Sequence, residues 1–371
     1  MAVISFEEAL HKTAGLKRHL LLGNGFSIAL FPDRFRYGSL LQQAFDDGLF
    51  DDYPELYEAF AVLETTDFEV VLEALIRMAK LLHLYVGDPE PKKKMLQHVE
   101  RLKEALVTAI AGSHPARLSE ITEDQFQACR AFLRNFCGKD LPRNRTGFIY
   151  TLNYDLLLYW SLLHDPDVDW TTGEMVEPAE DELLVHDDGF RNPDDDPDAP
   201  YVTWDIDGGS NTQNIHFLHG GLHLFDAAHE LQKYCWERAG GIPLMDQIKD
   251  ALDDERYPMF VSEGNSESKL DKIMHNGYLT RSFKSLAGVC QTSSITSTLF
   301  VYGHSLADSD NHILNLIENG KIQSVYVSIF GNEDDEWNTA LVARANQLSA
   351  KRERFPLAVH LYDAASAHIW G

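Results

Sequence analysis

The sequence predicts a doubly wound α/β protein with a mainly parallel sheet and a helical insertion. Short apolar runs recur along the chain with helical stretches between them. Four of these runs, Leu20–Leu22, Phe148–Leu152, Ile215–Leu218 and Leu299–Tyr302, lead into polar, glycine-bearing segments or end in one. Those segments are Gly23–Ser27 (GNGFS), Thr151–Asp155 (TLNYD), His216–Gly220 (HFLHG) and Val301–Asp310 (VYGHSLADSD). Ligands of open parallel sheets bind outside the carboxyl ends of the strands, so four distant loops are expected to meet in one crevice.

The elements follow in order. The N-terminal stretch MAVISFEEALHKTAG, with its two glutamates, reads as an amphipathic helix and not as a signal peptide. Residues 16–40 read as strand, glycine turn and helix start. After Tyr53-Pro54 the pattern turns helical. Phe68, Val71, Leu72, Leu75 and Leu82 form one apolar stripe, and Met95, Val99, Leu102, Leu106 and Ile110 form a second. Phe126, Cys129, Leu133 and Phe136 form a third, opened by a Thr122–Gln125 capping pair and stopped at Gly138. Residues 54–140 are thus a helical insertion whose stripes are core packing. A helix from about Asp155 to Leu163 follows the second run. Residues 165–214, rich in Pro and Asp, read as an acidic surface excursion with a hairpin at Tyr201–Trp204. A helix Leu244–Leu252, a strand starting at Pro258, a helix Lys269–Gly288, a helix Ser309–Asn319, a strand Val325–Phe330, a helix Trp337–Leu348 and a strand Leu357–Leu361 complete the pattern. All 371 residues are expected to form one α/β domain carrying the insertion and the excursion.

Composition limits the function classes. The 44% hydrophobic content suits a soluble globular chain. No apolar run approaches the roughly 20 residues of a membrane span, and a cytoplasmic protein is expected. The net charge of −26, from 32 basic and 58 acidic residues, repels nucleic acid. Lys92–Lys94 reads as a solvated helix start. Cys129, Cys137, Cys235 and Cys290 form no C-x-x-C pair, so they read as reduced thiols without a zinc ribbon. His216, His219 and His223 lack a carboxylate or cysteine partner at ligand spacing, and no metal is expected there.

The four segments hold the residue types that grip a phosphate and a ribose. Gly23 and Gly25 permit a tight turn with close approach of backbone. Ser27–Arg36 (SIALFPDRFR), with an aromatic, a proline, an acid and an arginine just beyond the glycines, makes a flexible cover suited to a ring-containing ligand. Asn153 suits a ribose hydroxyl or a water, or it stabilises its turn. Asp155 faces the same way, or caps the helix after it. His219, at a strand end before Gly220-Gly221, suits a general base, whereas His216 and His223 read as packed or surface side chains. Gly303 and Ser305 sit at a strand end, with Asp308 or Ser309 as a helix cap.

Taken in order, these segments resemble the sirtuin-like NAD-binding superfamily, most closely its stand-alone prokaryotic branch of unassigned function. Gly23–Ser27 resembles the Gly-Ala-Gly-x-Ser loop, with Asn24 in place of Ala. Pro32–Arg36 resembles the Pro-Asp-Phe-Arg segment with one extra residue. Thr151–Asp155 resembles Thr-Gln-Asn-x-Asp, with Leu152 in place of Gln. His219-Gly220 resembles the catalytic His-Gly, and Gly303–Leu306 the Gly-Thr-Ser-Leu loop. The stretches YPMFVSEGNSESKL and YGHSLADSDNHI are similar to the prokaryotic branch in particular.

The resemblance implies a Rossmann-like, sirtuin-like fold and a set of roles. Gly23, Asn24, Gly25, Phe26 and Ser27 would hold the NAD pyrophosphate, and Asp33 and Arg36 would lie near nicotinamide. Asn153 and Asp155 would address the nicotinamide ribose and amide, with His219 as base. Gly303 and Ser305 would meet adenosine, and Asn332 and Asp363 the adenine pocket. The two C-x-x-C pairs of the sirtuin zinc module are absent, which disfavours protein deacylation. Branches without that module consume NAD in bacterial anti-phage defence, some beside a hexameric ATP-driven DNA translocase, and a homo-oligomer is expected. The expected activity is therefore metal-independent hydrolysis of NAD to nicotinamide and ADP-ribose. The alternatives are a non-catalytic NAD or ADP-ribose sensor that recruits a partner, and ADP-ribose transfer.

Overall fold

Seven strands pair in parallel into one sheet: β1 Val3–Ile4, β2 Lys17–Leu22, β3 Ile149–Thr151, β4 Ile215–Phe217, β5 Ser297–Tyr302, β6 Ser324–Ile329 and β7 Ala358–Asp363. This computed structural model describes residues 2–371 apart from 165–167, 170–173, 176–181, 194–195, 206–211, 228–229, 236–239, 294, 351 and 353. The spatial order is β1-β7-β6-β5-β2-β3-β4. The chain runs outward from β2 through β3 to β4, then returns to β5 on the other side of β2. That reversal is the switch point of a doubly wound sheet, and the order from β4 to β7 is compatible with a Rossmann-like fold.

Burial on both faces explains the continuous apolar runs. Leu20, Leu21, Leu22, Leu299, Phe300 and Val301 are fully buried. Register aligns the strand ends. Leu22 lies opposite both Tyr302 and Thr151, and Thr151 lies opposite Phe217. The four polar segments therefore leave the sheet at one level.

The insertion between β2 and β3 is helical, as expected, and begins earlier, with helices at Tyr37–Asp46, Pro54–Val62, Phe68–Leu81, Glu90–Ser113 and Glu123–Cys137. The three stripes face the core, except at the ends of the first two, where Leu82 and Met95 are only half-buried. Thr122 and Gln125 form a reciprocal capping box, and the helix stops at Gly138. Lys92–Lys94 opens a helix, and Lys94 meets Glu55 at 2.5 Å on the surface.

Four expectations need correction. The N-terminal helix is Phe6–Lys12, and before it Val3–Ile4 adds an edge strand beside Leu361–Tyr362; two residues are too few to show a period. The run from Pro258 forms no strand of the main sheet. It lies extended against residues 219–224, with Val261 N–H donating to His219 C=O at 2.9 Å and Gly221 N–H to Met259 C=O at 3.0 Å. The expected helix Lys269–Gly288 is two helices, Ser266–His275 and Gly277–Gln291, because Asn276 leaves the helical conformation and its side chain caps the second. The acidic excursion is partly built into a four-stranded antiparallel sheet, where Tyr201–Trp204 pairs with Phe190–Arg191 and Leu231–Tyr234. Asp187 binds Arg191 at 2.6 Å and Asp188 binds Lys233 at 2.5 Å, so these two carboxylates are paired and not merely solvated. The remaining acidic positions include Asp194 and Asp195, which lie outside the described residues.

Candidate functional site

At the switch point the loops after β2 and β5 touch. Gly23 N–H donates to Tyr302 C=O at 2.9 Å, and Gly25 N–H to Gly303 C=O at 2.8 Å. A Cβ on Gly25 would lie 2.5 Å from Gly303 Cα, and Gly303 has φ +67°. The glycines are thus required for one loop to approach the other. The amides of Phe26 and Ser27 donate to the carbonyls of Gly23 and Asn24, each at 3.0 Å. A pyrophosphate at this turn would have to compete with bonds the loop already makes. Phe26 packs in the core against Trp370, whose indole N–H donates to the Phe26 carbonyl at 2.9 Å. Asn24 does not cap the short helix Gly25–Leu30. Its side-chain amide donates to Phe35 C=O at 2.9 Å and tethers the Pro32–Arg36 segment. Asp33 and Arg36 are exposed, and their side chains form no hydrogen bond or ion pair among the described residues.

Ser27 joins the first and second loops. Its hydroxyl donates to Asp155 Oδ2 at 2.5 Å and accepts from Asn153 Nδ2 at 2.9 Å. Asp155 Oδ1 accepts from Leu157 N–H at 2.9 Å, which caps the helix Leu157–Leu163. Both carboxylate oxygens are therefore occupied, and Asp155 positions the other groups. Burial pushes its carboxyl up, opposed by the Ser27 and Leu157 hydrogen bonds. The Ser27 contact fixes the orientation of the Asn153 amide, and Asn153 Oδ1 is left without a hydrogen-bond partner among the described residues.

His219 follows β4 and is 3% exposed. Its ring stacks near Tyr154, the residue between Asn153 and Asp155, and Tyr154 donates its hydroxyl to Val261 C=O at 2.6 Å. His219 Nε2 lies 3.0 Å from His312 Nε2, and His312 Nδ1 lies 3.4 Å from Ser266 Oγ. Beside them, Asp310 accepts from Lys269 Nζ at 2.9 Å and contacts His304 Nε2 at 3.2 Å. Lys269 also binds both oxygens of Glu69, at 2.9 and 2.8 Å, so the helix Phe68–Leu81 of the insertion is tied to the site. Burial, then Lys269, holds the His219 imidazole well below its usual range. Desolvation would raise Asp310, but Lys269 and His304 hold it well below the usual carboxylate range.

The family model of a domain of unknown function, DUF4917, matches residues 20–370, a span that contains all four loops. The chain belongs to the DUF4917 family. No curated protein matches it.

Several expected site residues take local roles in this DUF4917 chain. Gly303 N–H donates to Ser328 Oγ at 2.9 Å, while Ser305 is exposed. Asn332 Oδ1 accepts from Asp334 N–H at 3.1 Å, and Asp363 Oδ1 from Ala365 N–H at 3.0 Å, so both form turns just beyond β6 and at the end of β7. Neither Asp308 nor Ser309 caps the helix Asn311–Glu318 through its side chain. His216 is packed against Tyr150 and bonded to Ser285 at 3.0 Å, and His223 is buried against Tyr159. The histidines of residues 216–223 do not converge. Instead, His219 gathers with Asp310 and His312, whose ligand-type atoms all lie within 4.8 Å of one another.

Sequence reasoning missed His304, Asp310, His312, Lys269 and Glu69. The first three stand in GHSLADSDNH, where four titratable groups, Asp308 among them, within one turn-forming stretch were a usable signal. Lys269 and Glu69 come from separate helices, and only packing brings them in. The thiols of Cys129, Cys137 and Cys290 are buried and pushed up to about 12.

Proposed function

We propose that this chain hydrolyses NAD between nicotinamide and ribose, in a sirtuin-like version of its α/β fold. The hydrogen-bond chain Asn153–Ser27–Asp155 carries the proposal. It joins two loops that are 126 residues apart, and it presents an amide oxygen of fixed direction at the carboxyl edge of the sheet. The cleavage has an oxocarbenium-like transition state and a neutral leaving group. It needs an oriented ribose, a placed water and an oxygen near the developing charge, and Asn153 Oδ1 suits the last two tasks. His219, neutral at pH 7, is one residue pair away across Tyr154 and suits the general base.

One observation favours the sensor alternative. Asn153, Asp155 and His219 are 8, 5 and 3% exposed, so a ligand reaches them only when the surrounding segments part. The Pro32–Arg36 segment, held through Asn24, carries exposed residues, as does the loop after β5 at Ser305. Incubation with NAD, with nicotinamide and ADP-ribose measured, separates the two. Cleavage supports hydrolysis, and binding without turnover supports the sensor.

A further inference from the structure

The contact between His219 and His312 has no counterpart in the motifs that suggested NAD cleavage. Their Nε2 atoms are 3.0 Å apart, with ring centroids at 5.2 Å and planes 21° apart. A neutral imidazole has one N–H, so one ring donates to the other. His312 Nδ1 also has an oxygen partner, Ser266 Oγ at 3.4 Å. Two assignments satisfy these contacts, because Ser266 Oγ can accept from His312 Nδ1 or donate to it. In the one that leaves His219 Nδ1 able to take a proton, His219 carries its proton on Nε2 and donates to His312 Nε2, and His312 carries its own on Nδ1, directed at Ser266. His219 Nδ1 then holds the lone pair.

We propose that His219 and His312 act as one base, with His219 Nδ1 taking the substrate-side proton and His312 receiving the proton from His219 Nε2. The reaction it serves rests on the NAD-cleavage reading. In the step, an O–H bond of water or of a ribose hydroxyl breaks and an N–H bond forms at His219 Nδ1. The Nε2–H bond of His219 breaks as one forms at His312 Nε2, and no electrons change hands. The positive charge finishes on His312, beside Asp310. His312 is thus a positioning and proton-accepting partner that does not touch substrate.

The charged groups facing the pair bear on this. Asp310 favours charge on both rings, while Lys269 and His304 oppose it. Desolvation, the largest influence, holds His312 down to about 4, and the Asp310 carboxylate is the group that favours the charge placed there. A metal ion would need a lone pair from each imidazole and an Asp310 oxygen. Lys269 already places an ammonium 2.9 Å from Asp310 Oδ1, which supplies positive charge there without a metal.

The test joins nitrogen-15 NMR of histidine-labelled full-length protein with kinetics. The expected spectrum has His219 protonated at Nε2 and His312 at Nδ1, each assigned by its own Gln variant. His312→Ala is expected to lower kcat for nicotinamide release about 10-fold or more, with KM changed less than about threefold. His312→Gln keeps an oxygen that can accept the Nε2 proton, and is expected to recover part of the loss. A His219 protonated at Nδ1, an unchanged kcat in folded His312→Ala, or one equivalent of zinc lost on His312→Ala would each overturn the proposal. Wild-type protein with the expected tautomers but no NAD cleavage would overturn the NAD reading and leave the hydrogen-bonded pair standing.

Discussion

Replacing Lys269 with Met would leave Glu69 and Asp310 facing each other without their shared cation. The Lys269 side chain is 1% exposed, and its Nζ lies within 2.9 Å of three carboxylate oxygens. Removing one partner from a buried ion pair costs about 3–5 kcal/mol, because the remaining charge stays desolvated. Here two acids lose one base, so the upper part of that range applies. Unfolding entropy near 2.1 cal/mol/K per residue comes to roughly 0.8 kcal/mol/K for this chain, and the expected fall in Tm is about 5–6 °C. The triple variant Lys269→Met, Glu69→Gln, Asp310→Asn removes all three charges and is expected to recover most of the loss. Thermal melts at pH 7 in low and high salt would show it, since a buried network is screened little. A Tm change under about 1 °C for Lys269→Met, or no recovery in the triple variant, would refute the reasoning.

Two further outcomes follow from the packing. Gly25→Ala places a Cβ 2.5 Å from Gly303 Cα, backbone against backbone, and is expected to cost about 1–3 kcal/mol by overpacking, read as a lower Tm; an unchanged melt would show that the loops can part freely. Desolvation holds the buried imidazoles of His19, His114, His216 and His312 down to about 3, 4, 3 and 4. The unfolded chain binds their protons near pH 6.5 and the folded one does not. Stability from these groups is therefore full above about pH 6.5 and declines toward about pH 4, each contributing roughly 1.4 kcal/mol per pH unit. A Tm drop on the order of 5–10 °C from pH 6.5 to 5 is expected, and a flat Tm over that range would contradict it.

The strands were legible because they are buried on both faces. Runs such as Leu20–Leu22 and Leu299–Tyr302 admit little else once helical stripes surround them. The stripes and the Thr122–Gln125 box were equally direct, since capping and periodicity act within a few residues. The segment at Pro258 misled because a short apolar run reads alike as a sheet strand or as a lone extended partner of residues 219–224. At the site, Ser27, Asn153, Asp155 and His219 were visible as polar residues at strand ends. Their roles were less so. Capping is one of the two roles the sequence offers for Asp155, but that both its oxygens are filled, and that Gly25 contacts Gly303, depends on three-dimensional neighbours. The Glu69–Lys269–Asp310 bridge spans 241 residues of sequence and carries no local pattern, so only the folded chain reveals it.

The central claim is NAD cleavage, and nicotinamide release tests it most directly. Purified protein incubated with NAD in a chelator is expected to yield nicotinamide and ADP-ribose in equal amounts. Asn153→Ala and His219→Ala, each shown to be folded by its melt, are expected to lose about 10²-fold or more of that activity, while ligand-induced stabilisation by NAD persists. His216→Ala and His223→Ala, which alter buried packing away from the crevice, are expected to keep turnover at temperatures where they remain folded. Intact NAD after prolonged incubation with protein that NAD stabilises, with or without added partner proteins, would contradict the claim and make the crevice a sensor. Full activity in folded His219→Ala would place the base elsewhere.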